Sequence, residues 1–465
     1  SLNNKNFKNL HSFFWLFSLD LKSSKKITQN VIYNWIVEND KYRQNIWDLD
    51  ILSKRIIAWI SNSKLTYESS ETNYKLQFNS LIKKQTNHLV NEIKRTDKLD
   101  DKIIGSTAII LVGLSYGDAY YLKFGIDLLK KILNFSLDVS SFPKSRNLRQ
   151  LVFYLKYLIV IRELLKESQN TIPEFLDETI FYLGKSYNLL CANKGNGMLF
   201  NGNFEEPNKE FDNYLNFHKY KFKDDTNETG GYVVLKNKKF LLAVDIGKSP
   251  DKKFSKDYQA GVLSFEFNFS GEKVITNSGY FQDHRHQLNI ISKSSATHST
   301  LVLNNKSTVN FERDKFGHML VNKSFKILNK EIKTEKDFWS IRASHDAYSK
   351  SNGVIYERTL QCFHEKYSLE GCDKLIKIKN FKPSNFEIRF HLLPNINLTK
   401  LLNNNSILIE SNNAGWKFTC KNYQLDIEKG LYFGKKNKYL ENKNILISGV
   451  TNPEEQIILW DISKI

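Results

Sequence analysis

Gly230-Gly231-Tyr232-Val233-Val234-Leu235-Lys236-Asn237-Lys238-Lys239-Phe240-Leu241-Leu242-Ala243-Val244 reads as a β-hairpin. Two apolar runs flank a short polar segment, Asn237-Lys238 supplies the turn, and a glycine pair precedes the first run. Short runs of the same kind recur at 263–269, 273–276, 299–303, 339–343, 354–362, 386–393, 406–409, 415–420 and 456–460. Many short strands between polar turns predict a large antiparallel β-sandwich. Upstream the period differs. Val31-Ile32-Tyr33-Asn34-Trp35-Ile36-Val37 and Ile51-Leu52-Ser53-Lys54-Arg55-Ile56-Ile57-Ala58-Trp59-Ile60 carry apolar residues three and four apart, as do 105–114, 120–133, 148–165 and 172–190. Asp48, Asp118 and Pro173 mark helix starts. The period changes after Lys194-Gly195-Asn196-Gly197, which divides the chain into a helical domain (1–205), a polar connector (206–228) and a β-domain (229–465). A helical array before a sandwich suits an extended groove in which a polymer lies.

The 465 residues are 41% hydrophobic and 13% aromatic, which excludes a disordered chain and favours more than one domain. No stretch approaches the roughly 20 apolar residues of a membrane span. Cys191, Cys362, Cys372 and Cys420 are widely spread, with no CxxC pair, which excludes a zinc ribbon and a disulfide scaffold. Sixty-eight Lys and Arg against 50 Asp and Glu give a net charge of +18. That charge favours a polyanionic partner. Much of it, however, is Lys interleaved with Asn and Ile, a composition that AT-rich coding alone produces. No dense Arg/Lys stripe, RNP-like motif or zinc-finger spacing supports nucleic acid, so an acidic polysaccharide is the preferred partner. The sequence begins at Ser1, which leaves an upstream leader open.

Three segments carry a family resemblance. They are Asp257-Tyr258-Gln259-Ala260-Gly261-Val262-Leu263-Ser264-Phe265-Glu266-Phe267, then Val274-Ile275-Thr276-Asn277-Ser278-Gly279-Tyr280, then Ser295-Ala296-Thr297-His298-Ser299-Thr300-Leu301-Val302-Leu303. In that order they resemble the C-terminal domain of the heparinase II/III-like polysaccharide lyases. Segments 343–348, 356–360, 369–375, 389–394 and 415–418 agree in order, and 10–16 and 138–147 resemble the bacterial branch of the family. The resemblance implies an N-terminal incomplete (α/α) toroid followed by a large antiparallel β-sandwich. It also implies β-elimination on a uronic-acid-containing polysaccharide, and a periplasmic or envelope setting. In that reaction the uronate carboxylate is neutralised, a base removes the adjacent proton and an acid protonates the leaving oxygen.

This chain departs from the family pattern at the expected catalytic positions. The two motif histidines fall on Asp257 and Gln259, and the positions of a family zinc site fall on Gln259, Asn277 and His298. Neutral amides are poor zinc ligands, so no metal or other cofactor is expected. The family's catalytic Tyr would lie near 142–148, where no Tyr exists and Arg146 and Asn147 are the polar residues available. The candidate catalytic residues are therefore His298, Tyr280 and Asp257, with Asp257 standing where a histidine is lost. Candidate substrate-binding residues are Arg146, Asn147, Gln259, Lys293, His345 and Arg285. Arg285 lies in the Asp283-His284-Arg285-His286-Gln287 group, which reads as a cationic clamp for carboxylate or sulfate or as a solvated loop. His298 and His345 also read as structural histidines, and Tyr280 as an aromatic packed on the sheet. Two functions remain open: a lyase, or a non-catalytic glycan-binding or envelope-assembly protein that has lost its catalytic histidines. Oligomeric state is not legible.

Overall fold

The structure, a computed structural model, describes residues 4–20, 24–192, 197–206, 208–223, 225–402, 404–411 and 414–465. The glycine-rich segment at which the sequence period changes, 193–196, lies outside the described residues. The chain forms two compact units, Ser1–Leu137 with Phe153–Phe181, and Asp138–Val152 with Tyr182–Ile465.

The first unit is helical, with Lys25–Asn39, Leu49–Ser61, Thr72–Glu92, Leu99–Tyr116 and Ala119–Ser136 among its elements. Their ends follow the sequence. Asp48 and Asp118 accept the backbone N–H of Asp50 and of Tyr120 and Tyr121 at two helix starts, and Gly117, at φ 65°, closes the helix ending at Tyr116. Gly113 lets that helix meet the next one closely, because a Cβ there would stand 2.5 Å from the Leu122 backbone N. Trp35, Trp59 and Phe13 pack edge to face at ring separations of 5.2–5.6 Å in the core. No helix among the described residues is long and apolar enough to cross a membrane.

The second unit holds the sheets, and every strand ladder in them is antiparallel. An eight-stranded sheet runs in the order Asn397–Lys400, Ser406–Glu410, Gly415–Cys420, Gln456–Lys464, Ser368–Lys377, Val354–Phe363, Phe338–His345, Ile327–Thr334. A five-stranded sheet contains the hairpin Tyr232–Lys236/Phe240–Asp245 and the strands Phe265–Phe269 and Glu272–Ile275. A four-stranded sheet joins Leu425–Tyr432, Leu440–Val450, Asn385–His391 and Leu301–Leu303. Both smaller sheets pack on the large one through aromatic side chains. Trp460 lies 5.6 Å from Phe265 and 4.7 Å from Phe390, and Trp416 lies 5.7 Å from Phe267. This is a β-sandwich with a continuous apolar interior.

The compact units do not follow the sequence boundaries at 205 and 228. Residues 138–152 and 182–228 pack with the strands, and the connector contains the helix Lys209–Phe217. The reason lies in specific bonds. Arg146 pairs with Asp245 of the hairpin, the Ser186 hydroxyl meets that of Thr229 at 2.7 Å, and Asn188 donates to the Phe222 carbonyl at 2.9 Å. Period alone does not reveal such long-range polar contacts.

Candidate functional site

Asn147, Asp257 and Tyr280 come together in the second unit. The Tyr280 hydroxyl donates to Asp257 Oδ1 at 2.9 Å, and Asn147 Nδ2 donates to Asp257 Oδ2 at 3.2 Å. Asn147 is placed by its own local structure: its Oδ1 accepts the backbone N–H of Arg149 at 2.8 Å, capping the helix Leu148–Glu167. Arg149 follows one side of this cap. Its guanidinium lies 5.7 Å from the Tyr280 ring and 5.4 Å from the Phe204 ring, and among the described residues it makes no ion pair. Its Nε is buried without a partner, while the residue as a whole is half-buried. Sequence reading missed Arg149 because nothing separated it from Arg146 except the cap geometry.

Asp257 is half-buried among cations. Burial alone would raise its carboxyl. The charges of Arg149, Lys293 and Lys256 and the Tyr280 hydrogen bond outweigh that and hold it below the usual carboxylate range. Tyr280 moves the other way, pushed far up by burial and by the Asp257 charge beside it. The pair is thus a settled phenol–carboxylate hydrogen bond. At rest the proton therefore stays on Tyr280 and Asp257 stays ionised.

The other expected residues serve the fold. Arg146, in the left-handed region at φ 57°, forks onto Asp245 at 2.7 and 3.4 Å, donates to the carbonyls of Gly230, Gly231 and Lys248, and stacks 4.5 Å from the Tyr232 ring. No donor is left for a ligand. Gln259 is fully buried: its Nε2 donates to the Gly279 and Ser292 carbonyls, and its Oε1 accepts from Gly202 N. Lys293 is 1% exposed and donates to the carbonyls of Lys256 and Met319, with burial lowering its ammonium to about 8. It therefore adds charge near Asp257 without an open face.

His298 is 1% exposed, bonds Ser294 O through Nδ1 at 2.9 Å, and leaves Nε2 without a partner. Burial lowers its imidazole to about 4. The ring is enclosed and not groove-facing in this structure, unlike the expectation for it. His345 corrects an expectation too. It is fully buried among Phe325, Tyr348 and Tyr356, accepts from Ala347 N, and has no surface toward a polymer. Arg285 alone is exposed, on the loop before the helix Gln287–Ser292, whose first turn is capped by His286.

The zinc positions do not fit zinc. The amide oxygens of Gln259 and Asn277 are both taken by backbone N–H groups, of Gly202 and Ser299, leaving His298 alone. Among the described residues no group of three His, Cys, Asp or Glu stands close enough to hold a metal ion.

Comparison with known proteins settles the lineage. The family model for the heparinase II/III-like C-terminal domain matches residues 225–461. The chain belongs to the heparinase II/III-like family. Among solved structures, a mutant of the heparan sulfate lyase HepC from Pedobacter heparinus is 13% identical, with a TM-score of 0.77 over 100% of this chain and 77% of that one. A heparinase III structure is 14% identical, with a TM-score of 0.76 over 100% of this chain and 78% of the other. A chondroitinase AC lyase is 10% identical, with a TM-score of 0.53 over 99% and 75%. No curated protein sequence matches the chain. At these identities the likeness speaks of fold: this heparinase II/III-like chain is an N-terminal incomplete (α/α) toroid followed by a large antiparallel β-sandwich, with a polysaccharide-lyase-like architecture.

Proposed function

We propose that this protein is a polysaccharide lyase that acts on an acidic, uronic-acid-containing polysaccharide by β-elimination, engaging it at the Arg149–Asp257–Tyr280 cluster. The observation that carries the proposal is Arg149: a half-buried guanidinium held against two aromatic rings, without an ion-pair partner among the described residues. A uronate carboxylate must be neutralised before its neighbouring carbon becomes acidic, and the planar fork of Arg suits a carboxylate. Once the substrate parts their hydrogen bond, Asp257 takes the proton from the carbon beside the carboxylate and the Tyr280 hydroxyl gives its proton to the leaving glycosidic oxygen, with the sugar ring resting near Phe204; transfer from Asp257 back to Tyr280 resets the pair. The proposal includes no resident metal, since the ligand set at Gln259, Asn277 and His298 is already hydrogen-bonded.

One observation favours a second function, a non-catalytic glycan-binding protein: His298, the one motif histidine retained, is sealed in the core. Heparan sulfate, chondroitin sulfate and alginate separate the two. β-Elimination leaves an unsaturated uronate that absorbs near the ultraviolet edge, and the lyase is expected to raise that absorbance on at least one polymer. Salt-sensitive binding with no absorbance change on any of them would establish the second function. No binding to any of them would overturn both.

A further inference from the structure

His284 and His318 come from different elements and meet outside the cluster described above. Their ring centroids lie 4.5 Å apart at an interplanar angle of 40°, and both residues are half-buried. His318 immediately precedes the second strand of the hairpin Asn310–Arg313/Met319–Lys323, in a turn held by Asp314. Asp314 Oδ1 accepts the backbone N–H of Phe316 and of His318, each at 2.8 Å, and Asp314 Oδ2 stands 3.1 Å from His318 Nδ1. This carboxylate fixes the ring and leaves Nε2 as the free nitrogen. His284 lies four residues after Tyr280. The charges that reach it are His318, Lys256 and Arg285, all cationic or potentially so, and Asp283. Burial and these cations lower its imidazole from the usual value.

The pair adjoins the Asp257 cluster through one buried side chain. Lys293 Nζ donates both to the carbonyl of Lys256, next to Asp257, and to the carbonyl of Met319, next to His318. A metal is not the natural occupant, because among the described residues no third ligand completes the pair. Two imidazoles packed against each other repel once both are protonated. An anion between or beside them removes that repulsion, and Lys256 and Arg285 strengthen its field.

We infer that His284 and His318, flanked by Arg285 and Lys256, form a pH-gated clamp for a carboxylate or sulfate group of the polysaccharide. The clamp rests on the proposed acidic-polysaccharide ligand and adds regulation to it. Each imidazolium presents an N–H donor to the anion, and each proton taken up on binding makes affinity rise as pH falls. Because the bound anion favours the imidazolium form of both rings, affinity for heparan sulfate is expected to rise about fivefold from pH 7.5 to 6.0.

The test is heparan sulfate affinity of the full chain at those two pH values for the wild type, His284→Gln and His318→Gln, at one fixed salt concentration. Imidazole NMR of the wild type titrated with sodium sulfate runs beside it. The wild type is expected to bind more tightly at pH 6.0, both variants to lose most of that dependence, and sulfate to raise the titration midpoints of both rings. Wild-type binding that ignores pH, or variants that keep the full dependence, would overturn the clamp while leaving the polysaccharide proposal standing. Absent binding of heparan sulfate, chondroitin sulfate and alginate at either pH counts against the polysaccharide proposal, and sulfate-insensitive midpoints then overturn the clamp as well.

Discussion

Asp373→Ala is expected to destabilise the second unit by about 3–5 kcal/mol, because it strands a buried guanidinium. Arg358 and Asp373 lie on adjacent strands of the eight-stranded sheet and are both essentially inaccessible. Arg358 Nε and Nη2 reach the two Asp373 oxygens at 2.6 and 3.0 Å, and Nη1 donates to the carbonyls of Leu263 and Ser299 at 2.9 and 2.6 Å. Asp373 also accepts from the Tyr356 hydroxyl and from Trp460 Nε1. Removing the carboxylate therefore takes the acceptor from four donors on three side chains inside the sandwich. Urea unfolding followed by tryptophan fluorescence measures the loss. A change below about 1 kcal/mol would mean that water reaches the pair and that the interior is not closed as described.

Acid should unfold the protein well before its carboxylates are protonated. His298, His345 and His391 are all buried, and burial, with mutual repulsion in the case of His391, lowers them to about 4, 3 and 3. The unfolded chain takes up protons at histidine near 6.5, the folded chain only near 4 and below. These groups thus contribute stability that is fully present above pH 6.5 and is lost as pH falls through that value toward the folded pKa values. By pH 5 each costs about 2 kcal/mol, or about 6 kcal/mol together, which is comparable to the whole stability of many domains. Urea midpoints at pH 7.5 and pH 5.0 check this. Equal midpoints would show that the three rings are solvated or already charged.

Much of the fold is legible in sequence, for reasons visible in particular elements. The hairpin at 232–245 announces itself because Asn237 Oδ1 accepts from both Lys239 N and Phe240 N, the turn chemistry its residue type favours. The strands Leu425–Tyr432 and Leu440–Val450 stay hidden because polar groups occupy inward positions. Asn442 and Asn444 are buried, and Asn444 reaches Glu428 across the ladder at 3.3 Å, which erases the apolar alternation that marks a strand.

The site was legible in part. The segments holding Asp257 and Tyr280 stand out by resemblance, yet their hydrogen bond spans 23 residues that no local pattern connects. Arg146 and Arg149 look equivalent in sequence. Arg146, in the left-handed region, is locked on Asp245, whereas Arg149, inside the turn capped by Asn147, makes no ion pair among the described residues. His298, His345 and Gln259 are polar residue types usually placed outside, and here tertiary packing encloses them.

Central to this account is Arg149 as the group that neutralises the uronate. Its most direct test is the ultraviolet absorbance of wild type and Arg149→Ala on heparan sulfate, chondroitin sulfate and alginate, with thermal melting as the control for folding. Absorbance is expected to grow with the wild type on at least one polymer. Arg149→Ala is expected to keep the wild-type melting temperature within a few degrees and to turn over roughly 10²–10³-fold more slowly, as when one charge-stabilising donor is removed. A folded Arg149→Ala protein with undiminished turnover, or a wild type that produces no absorbance on any of the three polymers, would contradict it.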